Sequence, residues 1–342
     1  MSSAAQELIS DDGAVNVIFI GAGAVGCFYA SRLHHPDLNV YVSLVARSNY
    51  AAISESGVKL TTHSFGNYVF KPHATFPSVE SAAACGQDGN RSDDSAMITP
   101  LIDPGTCIVL IQNGVGVEEP FRKRFPRNPI VSAVTIVSAE QTAPGVIRQN
   151  RWTRISIGPH TGGLGKGGGE LEMLGAEAVE LLCKWWGPDW GGIRDVEPHD
   201  AVGLQMVRWH KLCINAAFNP SAVLSGGRAN AEIVNDEELR EHVIGVMNEI
   251  RAAVPKVLGR GFPDDMAKPD RIVKSTERNT GARPSMLLDW EAGRPLELEV
   301  ILGNPVRIAR AHGAEMPRLQ TLYALLKSAQ KSREGQRVQN KL

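Results

Sequence analysis

The sequence predicts an α/β protein whose first half forms a parallel sheet and whose second half is all helical. Three observations carry that prediction. Short β-branched apolar runs alternate with helix-like stretches through the first half. A glycine-spaced turn separates the first such run from the first helix, and beyond residue 170 the periodicity is helical with few strand signals.

The first strand is Val15-Asn16-Val17-Ile18-Phe19-Ile20, and it stops at Gly21-Ala22-Gly23-Ala24-Val25-Gly26 before an amphipathic run from Cys27 to Leu33. Gly21 permits a tight turn, Gly23 lets a pyrophosphate approach the backbone, and Gly26 lets helix and strand pack closely. The helix N-terminus adds free N–H groups and the positive end of a dipole. Strand before and helix after make this the Rossmann-type dinucleotide fingerprint, with Gly21, Gly23, Ala24, Val25 and Gly26 expected on the cofactor. The bland alternative is a glycine turn without a ligand.

A second strand, Val40 to Val45, ends about 20 residues beyond the glycines, where an NAD enzyme usually carries Asp or Glu for the ribose hydroxyls. Here the chain reads Ala46-Arg47-Ser48-Asn49. A guanidinium and a hydroxyl suit a 2′-phosphate, so NADP(H) is favoured over NAD(H), with Arg47 as its cofactor-binding residue. Otherwise Arg47 is only a solvated loop residue.

Gly57–Thr62 and Asn67–Lys71 read as a hairpin around Ser64-Phe65-Gly66, Val79–Ala84 as a short helix, and Cys85–Asp94 as a polar loop. Met97–Ile102 reads as a helix, Thr106–Ile111 as a buried strand ending in Gln112-Asn113-Gly114-Val115-Gly116, and Pro129–Val137 and Arg154–Ile157 as further strands. The glycine-rich run Gly162–Gly169 lacks the spacing of a phosphate loop and reads as a linker. Leu171–Trp186, Ala201–Asn219, Ala231–Leu258, Pro284–Trp290, Leu296–His312 and Met316–Ala329 carry helical periodicity. The expected domains are residues 14–170 for the cofactor and 171–330 for a helical substrate-binding and catalytic part. Residues 1–13 and 331–342 are expected to be flexible tails. The crevice between the two parts is the expected site.

The composition narrows the function. A chain of 342 residues with 43% hydrophobic residues and a net charge of −1 has no basic excess for nucleic acid. Its 5 cysteines show no CxxC spacing, so neither a zinc site nor a disulfide framework is indicated. No apolar run approaches a membrane span, and the polar leader fits neither a secretory signal nor a transit peptide. A cytoplasmic setting is expected. The ending Asn340-Lys341-Leu342 stands one residue from a Ser-Lys-Leu address, which makes the peroxisome the alternative.

Lys211, Asn215 and Asn219 recur every four residues on a helix whose other faces are largely apolar. Polar side chains on such a helix need partners, because an unpaired buried polar group costs about 1–3 kcal/mol. On helix logic alone a solvated stripe running into a helix end at Pro220 competes evenly with a functional row.

The order of motifs resembles a known family. The glycine turn, Gln112-Asn113-Gly114-Val115-Gly116, Lys211-Leu212-Cys213-Ile214-Asn215-Ala216-Ala217-Phe218-Asn219-Pro220, Ser285-Met286-Leu287 and Glu297 are similar to the ketopantoate reductase (2-dehydropantoate 2-reductase) family over nearly the whole chain. The resemblance implies NADPH-dependent reduction of 2-dehydropantoate to pantoate, a step toward pantothenate and coenzyme A. It implies Lys211 as general acid, Glu297 as the carboxylate near it and the substrate, and Asn113 as a cofactor-binding residue at the nicotinamide end of the sheet that helps position cofactor and substrate. Asn215, Asn219 and Ser285 correspond to substrate-holding positions. Expected partners are a small 2-keto acid and no nucleic acid or membrane, with a homodimer left open.

The sequence departs from the family at one place. An apolar strand expected between residues 84 and 97 is replaced by the polar loop Cys85–Asp94, so the sheet is expected to lack its central fourth strand. Then either Thr106–Ile111 moves beside Val15–Ile20 or a gap remains, and Asn113 is disturbed in both cases. A weakly active or non-catalytic NADP(H)-binding relative is therefore the rival reading, beside a reductase of another small 2-oxo acid. A gene-model or splicing artefact would also account for the loop.

Overall fold

A computed structural model describes residues 13–83, 94–162 and 169–339. The expectations for the leader, for most of the loop at 85–94, for most of the glycine-rich linker and for the last three residues fall outside the described residues. Two compact units emerge. One comprises residues up to Ile111 with Glu118–Leu204, and the other comprises Gln112–Val117 with Gln205–Leu342.

The first unit holds two sheets. β1 (Val15–Ile20), β2 (Val40–Val45) and β5 (Thr75–Phe76) form a parallel sheet in the order β1-β2-β5. The second runs β4 (Gly66–Phe70), β3 (Val58–Thr62), β8 (Val146–Pro159), β7 (Ile130–Ala143), β6 (Ile108–Leu110), with β9 (Val196–Pro198) beside β8. This second sheet is mixed, because β3–β4 and β7–β8 pair antiparallel while β3–β8, β6–β7 and β8–β9 pair parallel. A parallel sheet through the first half, closed up or left with a gap beside Val15–Ile20, was the expectation. The difference lies in Pro144-Gly145, a turn dipeptide with Gly145 at φ +70°, which folds β7 back onto β8 as a long hairpin.

Helix α1 (Ala24–Leu33) packs against strands of both sheets, and Cys27, Phe28, Tyr29, Ala30 and Leu33 are fully buried. The buried phenol of Tyr29 donates to the carbonyls of Thr153 and Arg154, so it is not left unsatisfied. The short helices α2 (Tyr50–Ser56), α3 (Val79–Ala82), α4 (Asp94–Met97) and α5 (Glu119–Arg124) connect strands. The expected helix at 97–102 is instead the end of α4 and a 3₁₀ turn at Thr99–Leu101. Pro100 explains the break, since a proline removes a donor and disfavours the α region at the residue before it.

Helix α6 (Glu170–Trp186) was expected to open the helical half, yet it packs on β8 and α1. Its buried Trp186 donates Nε1–H to the carbonyl of Tyr29 at 2.9 Å, which ties it to the sheet unit. The hydrophobic face of α6 thus finds its partner in the sheets rather than in later helices.

The second unit contains α7 (Ala201–Leu224, from Gln205 onward), α8 (Asn230–Asn235), α9 (Glu237–Leu258), α10 (Pro269–Thr276), α11 (Ser285–Glu291), a π-helical segment at Glu299–Gly303, α12 (Asn304–Ala311) and α13 (Pro317–Gln339). On α9, Val243, Val246, Met247, Ile250, Ala253 and Val254 form a buried stripe at helical spacing. Helix α13 runs into the segment expected as a frayed tail. Arg333 anchors it there by stacking 4.0 Å over Trp290 and donating to the carbonyls of Trp290 and Arg294. No helix among the described residues is long and apolar enough to cross a membrane.

The missing-strand expectation divides in two. Among the described residues β1 pairs only with β2, so no strand covers its other edge, and Ile18 and Ile20 keep 38% of their surface. Thr106–Ile111 has not moved in beside it, because Ile108–Leu110 pairs with Ile130–Ser132 in the other sheet. Most of the loop where the family's strand was sought lies outside the described residues, and Asp94–Met97 is helical.

Candidate active site

In the sheet unit, the turn after β1 has the geometry that its glycines require. Gly21 has φ +109°, a region costly to a residue with Cβ. A Cβ on Gly26 would stand 2.2 Å from the carbonyl oxygen of Gly21, so helix and turn touch backbone to backbone. Gly23 is the N-cap of α1, no side chain caps it, and a Cβ there would meet nothing within 4 Å. The turn is therefore open at Gly23, and Ala24 and Val25 begin the helix with N–H groups of the kind that bind phosphate. Arg47 and Ser48 follow β2 in an exposed turn. An open glycine cradle and a free guanidinium form a donor set that fits a dinucleotide carrying a 2′-phosphate.

The chemistry-bearing residues gather in the helical unit. Lys211 Nζ donates to Asn113 Oδ1 at 2.8 Å, and Asn113 Nδ2 donates to Glu297 Oε2 at 3.3 Å. One amide thus bridges an ammonium and a carboxylate, and its orientation follows from what each neighbour can do: the cation takes the oxygen, the anion the nitrogen. Burial lowers the pKa of Lys211 to about 8, with Arg208 adding to the shift and Glu297 opposing it. Desolvation raises the pKa of Glu297, the Asn113 hydrogen bond opposes this, Asp289 adds to it, and Lys211 opposes it. Both groups are moved toward neutrality, as acid–base sites require.

The loop that bears Asn113 is fixed by residues of the same unit. Arg208, buried one turn before Lys211, donates Nη1–H to the carbonyls of Gln112 at 2.8 Å and Gly114 at 2.9 Å. The amide of Val115 donates to the carbonyl of Val300 in the π-helical segment, and Asn304 Nδ2 donates to the carbonyl of Val115. Within this unit the loop bearing Asn113 is therefore clamped by α7, the π-helical segment and Asn304. Sequence reasoning missed Arg208, Val300 and Asn304. Arg208 had a usable signal, because it stands three positions before Lys211 on one helix.

Asn215 and Asn219 continue the row along α7, which does not end at Pro220 but runs on to Leu224. That removes the helix-end alternative. Asn219 is 5% exposed, and its Nδ2 finds no hydrogen-bond partner among the described residues. Two N–H donors buried without acceptors are costly unless a ligand supplies them. Ser285 is exposed at the first position of α11, and no described hydrogen bond joins it to Lys211, Asn113 or Glu297. His210 and His199 have structural partners, the carbonyl of Ala267 and the carboxylate of Glu197. No metal-binding group of three or more ligands occurs among the described residues.

Residues 17–162 match the family described as ketopantoate reductase PanE/ApbA, and residues 204–330 match its C-terminal domain. The crystal structure of 2-dehydropantoate 2-reductase from Methylococcus capsulatus is 31% identical, with a TM-score of 0.75 over 93% of this chain and 98% of that one. A 2-dehydropantoate 2-reductase of Mycobacterium tuberculosis is 30% identical over 239 residues, covering 68% of this chain and 70% of its own. An uncharacterized protein of Saccharomyces cerevisiae is 28% identical over 358 residues, 93% of this chain and 95% of its own.

Proposed function

Because the chain belongs to the ketopantoate reductase family, we propose that it reduces 2-dehydropantoate to pantoate with NADPH, Lys211 acting as the general acid. The observation that carries this reading is the Lys211–Asn113–Glu297 chain of hydrogen bonds. The nicotinamide, when bound, supplies hydride to the ketone carbon. The chain's own residues do the rest. Lys211 Nζ delivers a proton to the ketone oxygen as negative charge develops there, and its remaining N–H groups stabilise that charge. Asn113 holds the ammonium at a fixed position, and Glu297 fixes Asn113. Asn219, with donors to spare, and Asn215 and Ser285 hold the carboxylate and hydroxyl groups of the substrate. Neutral Lys211 recovers its proton from water, which a pKa of about 8 allows at neutral pH.

Amide and hydroxyl donors recognise a 2-oxo acid without selecting its side chain, so a reductase of another small 2-oxo acid is the second reading. A non-catalytic NADP(H)-binding relative is disfavoured by the intact hydrogen-bond chain. NADPH consumption with a panel of 2-keto acids separates these. Turnover that prefers 2-dehydropantoate supports the first reading, preference for another acid supports the second, and NADPH binding without turnover of any acid removes both.

Arg47 chooses the cofactor in this reading. Arg47→Ala is expected to weaken NADPH binding by roughly 1.5–3 kcal/mol, the range for a hydrogen bond to a charged group, while NADH binding changes little. Equal losses for the two cofactors in a fluorescence titration would remove Arg47 from 2′-phosphate recognition.

A further inference from the structure

The turn between β1 and α1 is glycine-rich, so it is open to a phosphate and also free to rearrange. The peptide joining Ala22 and Gly23 can turn over by a change in ψ at Ala22 and φ at Gly23. Gly23 stands at φ −84°, and glycine accepts the opposite sign about as readily. A peptide in the wrong orientation would present a carbonyl where a dinucleotide phosphate needs an N–H. Something must hold it.

Asn49 is 6% exposed and lies just after the Arg47-Ser48 turn. Its Nδ2 donates to the carbonyl oxygen of Ala22 at 2.7 Å and to Gln141 Oε1 at 2.8 Å. Gln141 Nε2 donates back to Asn49 Oδ1 at 3.0 Å. The Ala22 carbonyl can only accept, so it takes the nitrogen end of Asn49, and the reciprocal pairing with Gln141 agrees with that orientation. A turned-over Asn49 amide would set oxygen against oxygen at the Ala22 carbonyl and, with Gln141 in place, lose both bonds to it. Gln141 reaches this place on β7, beyond the register shift at Ser138 and Ala139, so the clamp joins the parallel sheet to the hairpin of the mixed sheet.

We infer that Asn49 and Gln141 are positioning residues for the cofactor: they hold the Ala22 carbonyl so that the Gly23 N–H points the opposite way, toward the phosphate. No peptide in the described chain is cis, and in a planar trans peptide C=O and N–H are antiparallel, so fixing one direction fixes the other. The glycine at position 23 keeps the approach open, and the clamp supplies the orientation that glycine alone cannot.

The inference rests on the NADP(H) reading above, and the test separates the two. NADPH and adenosine 2′-monophosphate are titrated against wild type, Asn49→Ala and Gln141→Ala, with thermal unfolding of each as a folding control. The monophosphate carries adenosine and the 2′-phosphate but no pyrophosphate, so it reports on the Arg47 side alone. Asn49→Ala is expected to weaken NADPH binding about tenfold and Gln141→Ala about threefold, the range for one neutral hydrogen bond lost directly or loosened. The monophosphate should stay within about twofold of wild type in both, since no phosphate contact of Arg47 is removed. Parallel loss of both ligands overturns the inference, because Asn49 would then only shape the Arg47 turn. NADPH affinity unchanged in both variants overturns it as well. Gln141 is exposed, so its truncation leaves the fold intact, and if Asn49→Ala does not fold, the Gln141→Ala titration decides alone. Wild type that fails to bind NADPH refutes the cofactor reading itself, a result visible before any variant is made.

Discussion

Lys211→Ala is expected to lower kcat by about 10²–10⁴-fold, the usual contribution of a positioned general acid, with NADPH binding little changed. The expectation follows from the place of the ammonium in the hydrogen-bond chain. Its amide partner is held on one side by Glu297, and the carbonyls of the residues flanking that partner are held by Arg208, so the ammonium meets a fixed acceptor. Lys211→Arg should fail nearly as badly, because guanidinium keeps the charge but does not give up a proton near neutral pH. The wild-type pH profile gives an independent check. A lysine with its pKa lowered to about 8 is protonated below that pH, so the reductive rate should be level in the acid arm and fall as pH rises through about 8. An active Lys211→Ala variant, or a profile flat well above that pH, would take Lys211 out of proton transfer.

Much of this arrangement was legible in the sequence, for identifiable reasons. The β1–turn–α1 unit declares itself because each of its glycines answers a local demand: φ +109° at Gly21, an open face at Gly23, a backbone contact at Gly26. The Lys211–Asn215–Asn219 row is visible because helical spacing is regular, and the helix preserves it by tolerating Pro220. Long-range pairing is not local in that way. The separate mixed sheet depends on which strand β6 and β8 choose as neighbours, and α6 reads as a free amphipathic helix until Trp186 meets Tyr29. The clamp around Asn113 joins Arg208 to Val300 and Asn304, a pair that lies far along the chain from it. No spacing rule connects Arg208 to that pair, or either to Asn113, before folding.

Gly114→Ala is the second change with a large expected effect, although the residue has no chemistry of its own. Gly114 adopts φ +86°, and a Cβ there would stand 2.4 Å from the carbonyl oxygen of Val300, 2.5 Å from its Cβ and 2.6 Å from its carbonyl carbon. Two of those atoms are backbone within the π-helical segment, so rotation of a side chain cannot relieve the contact. Loop and segment must separate, by roughly 1 Å if an ordinary contact near 3.5 Å is to be restored. The bond from the Val115 amide to the Val300 carbonyl and the grip of Arg208 on the Gly114 carbonyl are then strained together, and Asn113 moves with them. Displacement on that scale at a reacting centre costs about 10²-fold in rate. A left-handed residue bearing Cβ adds about 1–2 kcal/mol of destabilisation. Gly116→Ala is the matched control: its φ is +71°, but the added Cβ would meet only side-chain atoms, of Asn304 and Ile308, at 3.3 Å. Those can give way, so the loss there should be a few-fold at most. Because the Gly114 contact lies within the helical unit, NADPH affinity should survive in Gly114→Ala while kcat collapses. Measuring kcat, NADPH affinity and Tm on both variants checks this. If Gly114→Ala keeps kcat within about twofold of wild type, against the steep distance dependence expected at a reacting centre, then the loop clamped by Arg208 and Val300 does not position the catalytic amide.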